Sequence, residues 1–220
     1  MPNIIDASYE ILEFPENPLL SIERASRVCY KSEDKISQGS AESLVARLIK
    51  SGHHAMIEFG GWIVVKFYSN RGFTHELVRM RLASFAQEST RYCNYAKDKF
   101  GREITCIDPD RILAMKIADS EKRALYKSML LDSWAQSQES YLALVDAGCP
   151  AEIAREALCI GLKAEIVIGA DVREWRHILS LRTSKKAHPR MREVMIPLVK
   201  DFMSRTPILF DGIYKEEIEN

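Results

Sequence analysis

At 220 residues, with 46% hydrophobic and 28% charged side chains, the chain has the balance of a globular protein able to bury a core, and its length suits a single domain spanning residues 1–220. Lys plus Arg and Asp plus Glu number 31 each, so no global field draws it to nucleic acid or an anionic membrane, and any anion site must be local. No apolar stretch approaches the roughly 20 residues that span a bilayer, and no basic segment leads into an apolar run as in a signal peptide; a cytoplasmic location is the expectation.

In chain order, Ile4 to Phe14 reads as a first strand and Pro18 to Cys29 as a helix. Ser40 is a candidate cap for a helix whose apolar positions Ala41, Leu44, Val45, Leu48 and Ile49 follow the helical rhythm, with Gly52 ending it. Gly60-Gly61 opens a strand from Trp62 to Tyr68, rich in β-branched and aromatic residues. Asn70-Arg71-Gly72 reads as a turn, and Thr74 as the cap of a helix running toward Arg81. Ser84 to Tyr95 shows no period, as a loop or irregular strand lining a site would. Glu103 to Ile107 is a short strand, and Asp119 to Ala147 the longest helix, stopped by Gly148 and Pro150.

A second helix is expected over residues 151–162, then an extended apolar stretch from Lys163 to Gly169. Asp171 with Glu174 resembles a capping box for a helix presenting Trp175, Ile178 and Leu179. Pro189 begins a last helix with Met191, Val194, Met195, Leu198, Val199 and Phe202 facing the core. The mixture is α+β with more helix than strand.

Five cysteines (Cys29, Cys93, Cys106, Cys149 and Cys159) form no Cys-x-x-Cys pair, so a thiolate-based metal site is not expected. Scattered thiols suit a reducing compartment and read as buried structural residues. Cys93, beside Tyr92, is the one with a setting that could suit a nucleophile.

The most informative stretch is Arg79 to Tyr92. Three arginines within thirteen residues, Arg79, Arg81 and Arg91, are interleaved with Ser84, Gln87, Ser89 and Tyr92. Guanidinium groups grip phosphates in two-pronged fashion, and hydroxyls and amides complete such a shell. The bland alternative is a solvated, charged helix end.

Arg79-Met80-Arg81, seven residues, then Ser89 and Arg91-Tyr92 resembles the signature of flavin-dependent thymidylate synthases, in which Arg-His-Arg and seven variable residues precede Ser and commonly Arg-Tyr. Gly52-His53-His54-Ala55-Met56-Ile57-Glu58-Phe59 looks like that family's Gly-His segment ending in Glu-His. Asp171-Val172-Arg173, His177, Leu181-Arg182 and Ala187-His188-Pro189 follow in the order of its C-terminal half. The resemblance runs from about residue 50 to 200 in three blocks. It implies a curved, mostly antiparallel sheet flanked by helices. It also implies conversion of dUMP to dTMP with methylenetetrahydrofolate as carbon donor and FAD, reduced by NADPH, as hydride donor. No side chain donates hydride. The chain has no Gly-x-Gly-x-x-Gly, so flavin must be held by scattered side chains rather than a Rossmann turn.

Carried over by position, the resemblance implies that Glu76, Arg79, Gln87, Ser89, Arg91, Arg155 and Arg182 hold the nucleotide. Arg79 and Arg182 are the catalytic cations, Arg182 at the uracil edge, where positive charge favours the enolate-like form and activates C5. Arg79, Met80, Arg81, Glu58, Phe59, Asp171, Arg173 and His177 fall at flavin-contacting positions. A surface ion pair is the alternative for Arg155 and Arg182, and a structural role for His177. Ser89 reads as a binding residue, because no adjacent base activates it. The family further implies a homotetramer whose sites borrow Ser89 and Arg91 from a neighbouring subunit.

Three departures gather on the flavin side. Phe59 and Met80 replace histidines, and Asp171 stands where the family commonly has asparagine. A carboxylate cannot donate the hydrogen bond an amide gives. His53, His54 and His75 are available to compensate, although adjacent His53 and His54 also read as a surface pair at a helix end. Methylation or hydroxymethylation of another pyrimidine nucleotide such as UMP, or a catalytically lapsed nucleotide- or flavin-binding protein, are the competing functions. RNA binding through Arg182 to Arg192 is disfavoured by zero net charge and the absence of interleaved aromatics.

Overall fold

The computed structural model describes residues 1–215, apart from the side chain of residue 98. Its elements in chain order begin with β1 (Asn3–Ile5) and β2 (Ser8–Glu13), α1 (Pro18–Val28), α2 (Ser40–Lys50), β3 (Trp62–Asn70) and α3 (Arg71–Leu77). Then come β4 (Ser84–Gln87), β5 (Thr105–Ile107), α4 (Asp110–Ala114), α5 (Ser120–Asp146) and α6 (Ala151–Ala154). The chain continues with β6 (Lys163–Asp171), α7 (Val172–Arg182), α8 (Pro189–Arg205) and α9 (Pro207–Phe210). Helix outweighs strand, as the sequence pattern requires. The main sheet is antiparallel with strand order β2-β3-β6-β4, and β1 pairs with β5 in a separate parallel ribbon, Ile4 opposite Cys106.

By contacts the chain divides into two compact units, interleaved along the sequence. Unit 1 comprises Met1–Ser8, Phe67–Arg79 and Ala86–Val167; unit 2 comprises Tyr9–Lys66, Met80–Phe85 and the chain from Ile168 onward.

In unit 1 the long helix α5 is capped by Asp119, whose carboxylate accepts from the N–H groups of Glu121 and Lys122. It ends in a Schellman turn: Gly148 takes φ +88°, Cys149 N–H donates to Leu144 C=O, and Gly148 N–H to Val145 C=O. Its buried face presents Trp134, Gln138 and Tyr141, spaced four and three apart. These pack with Tyr95, Ile104, Cys106, Ala154 and Leu162. The polar atoms on that face are used: Gln138 Oε1 accepts from Ile104 N–H at 2.9 Å and the Tyr141 hydroxyl from Tyr95 N–H at 3.2 Å. Gly161 lies so close to the Trp134 ring that an added Cβ would come within 2.5 Å of Cε2 and Cζ2.

In unit 2 the core is built on Trp175 and Phe202, with ring centroids 5.3 Å apart in an edge-on arrangement. Phe14 and Phe210 pack on Phe202 at 5.3 and 5.0 Å, and Trp175 Nε1 donates to Ile63 C=O. The buried pair Arg190–Glu193, 2.7 Å apart, lies at the start of α8.

Four expectations need correction. The first strand is two, because residues up to Ile5 pair with β5 whereas Ser8 onward joins the main sheet. Ser40 does not cap α2; Gly39, at φ +79°, precedes it, and the Ser40 hydroxyl instead donates to buried Glu23 at 2.9 Å. Asn70-Arg71-Gly72 is not a turn. Asn70 Oδ1 accepts from Phe73 N–H at 2.9 Å and opens α3 at Arg71, so Thr74 lies inside the helix, its hydroxyl donating to Arg71 C=O. The helix expected over 151–162 stops after Ala154, followed by a 3-10 turn, Arg155–Ala157. There the Ala157 carbonyl is taken by the Ser137 hydroxyl of α5 at 2.6 Å, and Leu158 turns extended. The Asp171 cap is as expected: its Oδ1 accepts from Glu174 N–H at 2.9 Å.

Two consequences are measurable by urea unfolding. Gly161→Ala is expected to lower stability by about 1–3 kcal/mol through overpacking against Trp134, with an unchanged denaturant slope. Asp171→Ala is expected to cost about 1 kcal/mol as a lost cap, whereas Asp171→Asn, which caps equally well, stays within a few tenths.

Candidate active site

Unit 1 carries a basic cavity of about 360 Å³ whose lining includes Arg71, His75, Thr90, Arg155, Leu158 and Cys159. Arg71 and His75 share one face of α3, four residues apart, and the Asn70 cap sets where that face begins. Arg71 is tied down twice: its N–H donates to Leu162 C=O at 3.2 Å, and Nη2 to Glu88 C=O at 3.3 Å. Arg155 arrives from the 3-10 turn and donates to the Thr90 hydroxyl at 3.4 Å, with Glu156 3.8 Å from its Nε. Two arginines, a histidine and a hydroxyl, with the carboxylate of Glu156, line this small cavity, and the first four are the kind of donors an oxyanion requires.

The segment carrying Ser89, Thr90 and Arg91 is fixed by the carboxylate of Glu88, only 12% exposed at its side chain. Its oxygens meet Lys163 Nζ at 3.1 Å, the Tyr95 hydroxyl at 3.1 Å and Glu165 N–H at 3.3 Å. The backbone adds a bond from Glu88 N–H to Glu165 C=O. Burial and the neighbouring Glu88 charge push the Tyr95 phenol well above its ordinary range, so it stays a neutral donor. Burial works against the Lys163 ammonium, but its hydrogen bonds to Glu165 and Glu88 prevail and raise its pKa.

Of the expected nucleotide residues, Glu76, Arg79, Gln87, Ser89, Arg91 and Arg155 all belong to unit 1. Arg155 lines the cavity. Gln87 Nε2 donates to Thr74 Oγ1 at 3.2 Å, and Ser89 Oγ accepts from Arg91 N–H at 3.3 Å. Glu76 is half-buried and Arg79 exposed at the end of α3. Arg91 is also exposed, over the Tyr92 ring and 3.8 Å from Glu152, a contact worth little in solvent.

The expected flavin residues apart from Arg79 belong to unit 2 (Glu58, Phe59, Met80, Arg81, Asp171, Arg173 and His177), as does Arg182. Glu58, Asp171, Arg173 and His177 line one cavity of about 690 Å³, together with His54, Leu82 and Arg176. Arg173 and His177 stand on one face of α7, and Arg173 Nη1 donates to Glu58 Oε1 at 2.6 Å. Beneath them Glu174 is buried, which raises its pKa; His177 and Arg173 pull it down, and Asp171 pushes it up.

A larger cavity of about 1020 Å³, also in unit 2, shares His54 and Arg173 and is lined further by Arg27, Tyr30, Lys35, Arg47 and His53. Its cations, with an aromatic ring and the apolar Leu44 and Leu48, suit a ligand that is both anionic and flat. Phe59 and Arg81 are exposed and line neither cavity; Met80 is only 3% exposed, with Arg182 Nη2 3.7 Å from its sulfur.

Arg71, Thr90, Arg27, Lys35 and Arg47 went unnoticed as site residues from sequence. Arg71 had a usable signal, since four residues separate it from His75, but it was hidden inside an apparent turn.

Residues 10–208 match the family model described as thymidylate synthase complementing protein, Thy1. The chain is 26% identical over 206 residues to a flavin-dependent thymidylate synthase of Geobacter sulfurreducens, covering 91% of this chain and 84% of the relative. It is 27% identical over 197 residues to one of Corynebacterium aurimucosum (88% and 79%), and 26% identical over 204 residues to one of Pyrococcus furiosus (90% and 80%). With the family model matching almost the whole chain, this protein belongs to the Thy1, thymidylate synthase complementing, family.

Proposed function

We infer that this chain is a flavin-dependent thymidylate synthase, converting dUMP to dTMP. The observation that carries the assignment is the segregation of the motif residues. Those expected on the nucleotide fall, apart from Arg182, in the unit with the small cavity of Arg71, His75, Thr90 and Arg155. Those expected on the flavin fall, apart from Arg79, in the unit with the basic cavities around Arg173.

In this reading Arg155, with Arg71, His75 and Thr90, takes the nucleotide phosphate, and Gln87, Ser89, Arg91, Glu76 and Arg79 complete the shell. Arg182 supplies positive charge at the uracil edge, where it favours the enolate-like form that makes C5 nucleophilic. Arg173, His177, Glu58, Asp171, Phe59, Met80, Arg81 and Arg79 hold FAD, and Lys35 and Arg47 extend its anionic contacts, Arg27 being committed to buried Glu23 at 2.7 Å. The donor set fits: several cations and a tyrosine ring in connected lining are what a flavin dinucleotide requires. When bound, FAD supplies the hydride that no side chain provides.

Methylenetetrahydrofolate as carbon donor, NADPH as reductant, a homotetramer sharing Ser89 and Arg91 between subunits, a cytoplasmic location and a curved sheet belong to the same proposal. So does a single functional domain over 1–220, supported by a family match that runs through both units. No helix among the described residues is long and apolar enough to cross a membrane.

Tritium release from 5-tritiated dUMP, with 5-tritiated UMP in parallel, tests the assignment. Release from dUMP that requires both flavin and methylenetetrahydrofolate is expected; release from UMP alone would transfer the chain to another pyrimidine C5 methylase. No release from protein that has bound flavin would mark a lapsed relative. Among variants, Arg155→Ala and Arg182→Ala are each expected to weaken dUMP binding about 10- to 100-fold, the loss of one or two charge-assisted hydrogen bonds. Both should leave flavin content largely intact. Arg173→Ala should do the reverse, and equal loss of both ligands in Arg182→Ala would remove it from the uracil edge. Cys93→Ser should retain turnover.

A further inference from the structure

Two thiols far apart in sequence meet in unit 1. Cys106 lies in β5, fully buried, and Cys159 follows the 3-10 turn that carries Arg155; their sulfurs are 3.8 Å apart. Cys159 is half-buried and lines the small anion cavity beside Arg71, Thr90 and Arg155, so it is open to a small solute. We propose that Cys106 and Cys159 are a redox-active dithiol, converted by peroxide to an intramolecular disulfide that disables the adjoining anion cavity.

The environment divides the two sulfurs by role. The contact with Cys106 lowers the Cys159 pKa against the cost of burial, helped by the Gly161 and Leu162 N–H groups. The shift favours the thiolate at Cys159, the form that attacks. Cys106 is pushed the other way, by its contact with Cys159 and by burial, and stays protonated.

In the first step the Cys159 thiolate attacks one peroxide oxygen, forming a sulfenic acid and releasing hydroxide. In the second, the Cys106 sulfur attacks the sulfenic sulfur, its proton leaves with the sulfenic oxygen as water, and the disulfide forms. Two thiols and one hydrogen peroxide give one disulfide and two waters, and a small thiol reverses the change.

Joining the sulfurs shortens their separation from 3.8 Å to about 2.05 Å. Cys106 is held by strand pairing to β1 and by a bridge to Leu162, whereas Ile160, next to Cys159, is 61% exposed. The movement therefore falls on the Cys159 segment. That segment is a direct continuation of the Arg155 turn, so the Arg155–Thr90 arrangement changes with it. This last consequence rests on the nucleotide reading above; the linkage itself does not.

The test is peptide mapping of the full chain after stoichiometric hydrogen peroxide and alkylation of the remaining thiols. The expected product joins Cys106 to Cys159, leaves Cys29, Cys93 and Cys149 alkylated, and disappears with dithiothreitol. Alkylation of both Cys106 and Cys159 after treatment that oxidises exposed Cys29, or a link to a different cysteine, would overturn the proposal. Calorimetry with dUMP supplies the second readout. Oxidised protein should bind at least about tenfold more weakly, recovering on reduction, and Cys159→Ser should show no response to peroxide. Undiminished affinity in the linked protein would refute the switch. Absence of dUMP binding by the reduced protein would count against the nucleotide assignment instead, and mapping would then decide the dithiol alone. Because mapping uses the native chain, a poorly folding Cys106→Ser variant does not affect it.

Discussion

Helices α3 and α7, which carry Arg71 and Arg173, depend on one local device, a short polar side chain at the end of a long strand. β3 ends at Asn70 and β6 at Asp171, and each residue accepts a hydrogen bond from the backbone three positions on. The first turn of a helix has N–H groups without intrahelical partners, and each cap satisfies one of them while fixing where the helix begins. That start point sets the rotation of everything following. In α3 it puts Arg71 and His75 on the cavity; in α7 it puts Arg173 and His177 side by side. β3 and β6 are neighbours in the sheet, yet the end of β3 belongs to unit 1 and the end of β6 to unit 2. The same device thus positions the basic residues of two cavities.

A second constraint is the carboxylate of Glu88. A half-buried loop full of polar residues is ordinarily hard to hold in one conformation, because its backbone groups compete with water. Here one carboxylate collects a phenol, an ammonium and a backbone N–H, the density of partners that a desolvated charge needs. Ser89, Thr90 and Arg91 follow it immediately, so the shell of an anion site is pre-ordered by a residue that does not line the cavity itself. Pre-ordering reduces the entropy lost when a ligand binds.

Long periodic elements were legible in the sequence: α5 with its glycine stop, α8 with its proline start, and the Asp171 cap, all of which depend on neighbours a few residues away. What failed depended on distant ones. Asn-Arg-Gly is as good a turn as a helix start; in the fold the Asn70 cap on Phe73 opens the helix and the link from Arg71 to Leu162, on the far side of the sequence, holds it there. The apolar rhythm after Ala151 reads as helix, but Ser137 of α5 takes the carbonyl that would have continued it. The anion cavity likewise gathers Arg71, Thr90 and Arg155 from three separate stretches. Its arginines were recognised mainly where a family pattern marked them, and Arg71, outside that pattern, was not.

The three departures from the family pattern have different physical meanings. Met80 is buried, and a thioether packs there at little cost, whereas an imidazole would bring two polar nitrogens into the same enclosure. Phe59 is the opposite: at 55% exposed it contributes little to the core, and its ring remains available to a flat partner. Asp171 keeps the cap, which asparagine would perform equally well, but adds a negative charge to a cavity that already holds Glu58. Arg173 has to offset that charge while pairing with Glu58 at 2.6 Å. On the assignment proposed above, Arg176, His54 and His177 have to supply the rest of the positive character in the 690 Å³ cavity. Further attraction for a dinucleotide has to come from Lys35, Arg47 and His53 in the larger cavity, of which Lys35 and Arg47 lie outside the segments that carry the resemblance and His53 lies within one.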